Sequence, residues 1–374
     1  MRILQLVGRS TGGIGSHVGR LTADLRHLGQ EVVVVTDRST ASHFGWTGSR
    51  TLWPLGSARA MARAPLDWHR IMRLASTVEV VHAHGQQAGL VAAVAVLRAR
   101  PRPRLVVTLH NELPTGGVGA RTVRWALRRA DLVTGASEDL VETARALGAR
   151  RTELSVVTSP RLAALLAPPA PRVDVSPRPG GRGNTSTGAG VTGAGVTGAG
   201  RDRPLVLTVS RIAPQKDLAT LVGAAHASTE PATWVVVGGG DADLRRRLES
   251  EVGGIPLTFV GERDDVEAWL RAATVLVLTS RWEARALVVQ EAMAAGVPVV
   301  VPAVGGLPGL VGDAGVLVAP GDPAATATAV DELLRDPSRR AHLAARGRER
   351  ARTWDTPEQE ARHWLERYRS LLGS

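Results

Sequence analysis

Apolar residues in this chain come in short runs of four to six, separated by longer stretches in which they recur every third or fourth position. In the first half the runs predict strands at Ile3–Val7, Glu31–Thr36, Val78–His82, Arg104–Leu109, Leu132–Ala136 and Leu154–Thr158. Helical periodicity lies between them, as in His17–Leu28 and Leu140–Leu147. The second half repeats the rhythm, with strands at Leu205–Val209, Thr233–Val237, Leu257–Val260, Val275–Leu278 and Val297–Val301. Strands that alternate with helices predict α/β architecture, with a doubly wound parallel sheet in each half. The stretch Ala167–Arg203 breaks the pattern. It is rich in glycine, proline and small polar residues and contains VTGAG twice in tandem, so it cannot bury a core and reads as a flexible linker. The layout expected is a first domain over 1–163, a linker over 164–203 and a second domain over 204–355. A C-terminal amphipathic helix over 356–374, carrying Trp364 and Tyr368, is expected to pack on a domain surface.

A chain of 374 residues has length for two cores, and 44% hydrophobic with 22% charged residues is an ordinary globular balance. The absence of cysteine excludes disulfides, thiolate nucleophiles and thiolate metal sites. No apolar run reaches the ~18 residues of a membrane span, and the first run is too short for a signal-peptide core, so a cytosolic protein is expected. The formal net charge of +11 is uneven. Residues 1–163 hold 22 Arg against 11 Asp and Glu, whereas residues 204–374 hold 19 Arg and Lys against 22 acids. A basic first half points to an anionic partner, either a charged acceptor or an acidic membrane surface. Arginines and tryptophans mingle in Arg38–Arg73 (Arg38, Arg50, Arg59, Arg63, Arg70 and Arg73 with Trp46, Trp53 and Trp68), and Arg121, Arg124, Arg128 and Arg129 surround Trp125. Such surface suits a peripheral position on the inner face of a cell membrane. Nucleic acid is disfavoured, because aromatics are 3% and no recognition motif is present.

The most informative chemistry lies in Thr274–Pro302, which reads strand, loop, helix, strand. Glu283 falls in the loop and Glu291 inside the helix, which stops at Gly296 with Pro298 beyond. Ligands of open α/β sheets bind at the carboxyl ends of strands, which places both acids near that crevice. Upstream, Arg211 and Lys216 follow the strand Leu205–Val209. Lys216 is the only lysine beside 45 arginines, so an ammonium has been kept where a planar guanidinium would not serve, as at a tight phosphate. Two acceptors and two cations suit a ligand bearing hydroxyls and phosphates together. Close-approach loops follow other strands: Gly12-Gly13-Ile14-Gly15, Gly238-Gly239-Gly240-Asp241, Gly261-Glu262-Arg263-Asp264 and Val304-Gly305-Gly306-Leu307-Pro308. His82, His84 and His110 end strands, and without a companion ligand at an evident spacing they read as polar residues lining the crevice, free to bond a sugar hydroxyl.

Two rivals remain beside this reading. A nicotinamide-dependent oxidoreductase is disfavoured because the glycine loop lacks G-x-G-x-x-G spacing and the single tyrosine, Tyr368, has no lysine four residues on. A non-catalytic nucleotide-sugar or lipid-binding module keeps the same residues without turnover.

Taken together, Gly12-Gly13-Ile14, Thr108-Leu109-His110-Asn111, Ser210-Arg211-x4-Lys216-Asp217, Glu283-x7-Glu291-Ala-Met-Ala-Ala-Gly-Val-Pro-Val and Val304-Gly-Gly-Leu-Pro resemble glycosyltransferase family 4. The resemblance covers nearly the whole chain outside the linker. It implies a retaining, metal-independent enzyme of GT-B architecture, two Rossmann-like domains facing a cleft, acting on a nucleotide-diphosphate sugar. Arg211 and Lys216 would neutralise the leaving diphosphate. Glu283 would hold a sugar hydroxyl, Glu291 the ribose, and His110 the sugar from the opposite domain. Gly13 would offer backbone to phosphate, with Gly238, Gly261, Glu262, Arg263, Gly305 and Gly306 around the donor. Two positions depart from the family pattern. Ala284-Arg285-Ala286 stands where Gly-Phe-Gly is usual, which puts Arg285 near the donor phosphate, and Ser159-Pro160-Arg161 replaces the usual asparagine-glycine turn.

Overall fold

The computed structural model describes residues 1–55, 58–114, 116–155, 157–168 and 203–373. The VTGAG repeat and the side chains of Arg59 and Arg63 lie outside the described residues. Two six-stranded sheets form, and every strand pairing in them is parallel. The first contains β1 (Arg2–Val7), β2 (Glu31–Thr36), β3 (Val80–His84), β4 (Arg104–Leu109), β5 (Leu132–Gly135) and β6 (Thr152–Leu154), in the order β2-β1-β3-β4-β5-β6. The second contains β7 (Leu205–Val209), β8 (Thr233–Val237), β9 (Leu257–Gly261), β10 (Val275–Val277), β11 (Val299–Pro302) and β12 (Val316–Val318), in the order β12-β11-β10-β7-β8-β9. Helices cover both faces, so the strands are mostly apolar; β1 and β3, for example, are buried along nearly their full length, with Gln5, His82 and His84 as buried polar exceptions.

Three expected strands start two residues away from where they were placed, one of them Val297–Val301, which runs Val299–Pro302. The strand expected at Val78–His82 runs Val80–His84, because Val80 is the residue that pairs with both Ile3 and Arg104. The strand expected at Leu154–Thr158 is Thr152–Leu154, set by pairing with Val133–Gly135. The first of these runs, β3, is buried along its length and carries no alternation to mark its register, so neighbouring strands choose it. The edge strand β12 was not anticipated; three residues are too short to show a period.

Each strand order reverses direction once, between β1 and β3 in the first sheet and between β7 and β10 in the second. Such switch points open a crevice beyond the carboxyl ends of the strands. The glycine loop follows β1, the Arg211–Lys216 loop follows β7, and the Glu283 loop follows β10. Both switch points therefore contribute to one cleft.

Two crossings tie the halves together. After β6 the chain passes through residues 157–161 into helix Leu162–Leu166, whose Leu162 and Leu165 are buried in the second core. The last helix, Pro357–Leu372, returns to the first half and packs Trp364, Leu365, Tyr368 and Leu371 against Ile3, Leu21, Leu25 and Val80. Trp364 and Tyr368 are fully buried, and the Tyr368 hydroxyl lies 2.7 Å from His82 Nδ1. At about 1.5–3 kcal/mol for each large apolar side chain, this helix is a structural part of the first half. Its start is fixed by a capping box in which Thr356 and Gln359 satisfy each other's backbone N–H.

Candidate active site

A cavity of about 1230 Å³ lies between the halves. Its first-half wall includes Arg9, Gly12, Gly13, Arg38, His110 and Asn111; its second-half wall includes Arg211, Lys216, Glu283, Arg285 and Leu287.

Local structure explains how the second-half groups are held. Pro214–Lys216 forms one 3-10 turn, closed by Asp217 in the left-handed region at φ 46°. The neighbouring loop clamps this turn, since Arg281 N donates to Gln215 O (2.9 Å) and Thr279 Oγ1 to Lys216 O (3.1 Å). The Lys216 ammonium donates to Glu283 Oε1, which also accepts from Ser280 Oγ at 2.7 Å. Both members of the ion pair are mostly buried yet reach the cavity. Gly305 and Gly306 back the same loop. A Cβ on Gly305 would stand 2.1 Å from Glu283 O, and one on Gly306 would stand 1.9 Å from Ala284 O. Gly306 N donates to Glu283 O at 2.9 Å. Only glycine lets the two backbones approach so closely.

Arg211 crosses the cleft. Its Nη1 lies 3.5 Å from Thr11 Oγ1, and a Cβ on Gly12 would meet its Nε at 3.5 Å. Gly13 faces Leu287 across the cleft. Gly12 caps helix Gly13–His27, whose N-terminus lines the cavity, with Gly15 N donating to Ser10 Oγ at 3.1 Å.

The sequence-selected residues divide into two groups. Arg211, Lys216, Glu283, His110, Gly13 and Arg285 line the cavity. Glu291, Gly238, Gly261, Glu262, Arg263, Gly305 and Gly306 do not. Glu291 is buried and takes a hydrogen bond from Ser159 Oγ (2.6 Å) and another from Arg161 Nη1 (3.3 Å), both on the crossing segment. Burial raises its pKa, against the lowering pull of Ser159 and Arg161. Gly238, at φ 145°, lets Ser210 O come within 1.9 Å of its Cβ position and so shapes the loop that carries Arg211. Gly261 O accepts from Gly238 N at 2.8 Å. Arg263 forms a two-pronged pair with Asp265 at 2.8 and 2.9 Å, away from the cavity, and Glu262 lies over Gly239. Arg285 reaches across the boundary to Val157 O (3.2 Å), and burial lowers its pKa to about 10.

The histidines are not arranged as the strand pattern implied. His110 lines the cavity, but His82 is held between Tyr368 and Thr108, 2.7 Å from each. His84 and His110 come together with a third ring, His17, from the glycine-loop helix. Burial lowers the pKa of His17 to about 4 and of His110 to about 3, and lowers those of His82 and His84. All four rings are neutral at pH 7. Sequence reasoning missed the companionship of His17 because 67 residues separate it from His84.

Two family descriptions match this chain. "Glycosyl transferase 4-like domain" covers residues 12–160, and "Glycosyl transferases group 1" covers residues 203–336. Alpha-maltose-1-phosphate synthase of Mycolicibacterium smegmatis is 30% identical over 91% of this chain and 90% of its own length. The chain belongs to glycosyltransferase family 4. A D-inositol 3-phosphate glycosyltransferase of Frankia alni is 39% identical over 39% of this chain; that match spans only 40% of the relative's length. Among solved structures, Anabaena HepE in complex with UDP and glucose superposes with TM-score 0.77 at 21% identity, covering 99% of this chain and all of that one. Sucrose-phosphate synthase from Thermosynechococcus elongatus gives TM-score 0.73 at 24% identity, covering the whole of this chain and 99% of that one. These likenesses establish the GT-B architecture of this family 4 glycosyltransferase: two Rossmann-like sheets with the cleft between them.

Proposed function

We propose that this protein transfers a sugar from a nucleotide-diphosphate sugar to an acceptor hydroxyl with retention at the anomeric carbon. The observation that carries the reading is the meeting of Lys216, Glu283 and Arg211 with His110 and the glycine-loop helix start in one cavity. Lys216 and Arg211 neutralise the diphosphate as the anomeric C–O bond breaks. The acceptor oxygen enters from the face the diphosphate is leaving, and the acceptor proton passes to a departing phosphate oxygen. Positive charge already in place costs no reorganisation in the transition state, so no metal is required for this step. Glu283, held by Lys216 and Ser280, takes a hydroxyl of the sugar, and His110 takes another from the opposite wall. Arg285 adds charge at the end of the cavity. For Glu291 to hold the ribose, Ser159 and Arg161 must first give way. UDP and UDP-glucose are the ligands named for the HepE complexes, and uridine nucleotides are the first donors to try.

The acceptor in this reading is anionic. Arg9 and Arg38 stand on the first-half wall of the cavity, opposite the donor side, and relatives are named for phosphorylated products or acceptors. A lipid-linked acceptor at the inner face of the membrane is the variant that uses the arginine surface. There Arg121, Arg124, Arg128, Arg129 and Arg150 surround Trp125, with the Arg129 guanidinium 4.0 Å above the indole ring. Trp53 is buried and unavailable to a membrane. No helix among the described residues is long and apolar enough to cross one. Release of nucleoside diphosphate from a panel of nucleotide sugars, with inositol phosphate and hexose phosphates as acceptors, tests the function. Binding without turnover on every donor would favour the non-catalytic module. Equal sedimentation with neutral and anionic vesicles would remove the membrane variant.

A further inference from the structure

We propose that His17, His84 and His110 form a site for one transition-metal ion of the zinc class, buried at the inner end of the cleft and sharing His110 with the transfer site. One ring nitrogen of each histidine lies within 4.8 Å of the other two. The ring centres form a nearly equilateral triangle with sides of 5.7, 5.7 and 5.6 Å. The midpoint of such a triangle is about 3 Å from each ring centre, where a metal bound about 2.0–2.1 Å from an imidazole nitrogen would sit. His84 Nδ1 and His110 Nε2 are 3.3 Å apart, close to the ~3.4 Å edge of a tetrahedron with ligands at that distance.

The polar accounting points the same way. All three rings are more than nine-tenths buried, and neither His17 Nε2 nor His84 Nε2 has a protein partner. With His84 Nδ1 and His110 Nε2 turned to the ion, His17 Nε2 is the orphan that a metal would pair, and leaving it unpaired costs about 1–3 kcal/mol. His17 Nδ1 is 3.5 Å from Glu360 Oε1, an oxygen that also lacks a hydrogen-bond partner. A carboxylate behind a metal-binding imidazole fixes the ring and leaves its other nitrogen for the metal. The site would thus join the first helix and the ends of β3 and β4 to the last helix. Imidazole ligands without thiolates select zinc, copper or nickel over magnesium or calcium. His110 lines the cavity, which gives the ion a way in. Three protein ligands leave a fourth position open toward the cleft. An ion there would engage the imidazole that the transfer reading assigns to the sugar, so loading should inhibit transfer.

The test uses the full chain, stripped with EDTA and titrated with cobalt(II). The expected result is one equivalent bound, with the intense visible band of a four-coordinate cobalt site. Glu360→Gln should weaken that affinity ten- to a hundredfold, while His226→Ala, an exposed histidine far from the triad, should leave it unchanged. X-ray absorption of the zinc-loaded parent chain should show three imidazole nitrogens near 2.0 Å, a readout that needs no variant to fold. No cobalt band up to 100 µM metal, or fewer than two imidazoles around zinc, would overturn the proposal. Inhibition of transfer in step with the cobalt band is a further expected result. The band itself requires neither donor nor turnover, so failure of the transfer reading and failure of the metal site give different results.

Discussion

Replacing Lys216 by alanine removes the ammonium that bonds Glu283 and that the proposed function sets against the donor diphosphate. Two separable losses follow from the structure. The first is electrostatic. One preorganised donor to charge that develops in the transition state accounts for roughly 10²–10³ in kcat, or about 3–4 kcal/mol. The second is structural. Glu283 loses its cation while it stays mostly buried, but it keeps Ser280 Oγ at 2.7 Å, so the folding penalty should be only about 1–2 kcal/mol. Lys216→Arg preserves the charge but not the point-like geometry inside the clamped 3-10 turn, so it should recover stability without recovering rate. The assay is initial-rate release of nucleoside diphosphate at saturating donor, beside a thermal melt. Because Lys216 and Glu283 bond each other, Lys216→Ala combined with Glu283→Gln should cost clearly less than the two single changes summed. A Lys216→Ala enzyme within threefold of the parent kcat, or strict additivity in the cycle, would refute the reasoning.

Other consequences are as direct. Gly306→Ala drives a Cβ to 1.9 Å from Ala284 O, and the loop carrying Glu283 must shift; turnover should fall at least tenfold while the melting temperature drops by a few degrees, and a parent-like rate would count against that loop. Glu291→Ala breaks the buried bond from Ser159 and should cost about 1–3 kcal/mol in a urea melt, with Ser159→Ala adding little on top. Trp364→Ala should cost about 3–5 kcal/mol, since the indole is fully buried against the first sheet; a loss under 1 kcal/mol would mean the last helix is dispensable. The pH dependence has two opposing limbs. His17 and His110 titrate at about 4 and about 3 in the fold against 6.5 when unfolded, so their contribution is full above pH 6.5 and is lost as pH falls through those values. Glu360, raised to about 8 by burial, contributes fully below pH 4.5 and loses that contribution as pH rises through 8. Melts from pH 3 to 9 should fall away at both ends, and Glu360→Gln should flatten the alkaline limb.

Much of this molecule was settled by local chemistry. Apolar runs at β spacing, each followed by a helical stretch, determine a parallel α/β fold because strands buried on both faces are mostly apolar. A lone lysine among 45 arginines, two residues beyond Pro214 and beside an arginine loop, marks the cation that meets Glu283. What only the tertiary structure decided are contacts between residues far apart in sequence. Glu291 sits eight residues from Glu283, yet the helix carries it away from the cavity to Ser159 and Arg161, more than a hundred residues earlier. His17 joins His84 and His110 because β1, β3 and β4 are neighbours in the sheet, an order no spacing reveals. Trp364 and Tyr368 cover the first sheet although the second domain intervenes in the chain. Periodicity records which side of an element is apolar. Which partner that side meets depends on sheet order and on where the chain crosses between halves, and those depend on packing summed over the whole molecule.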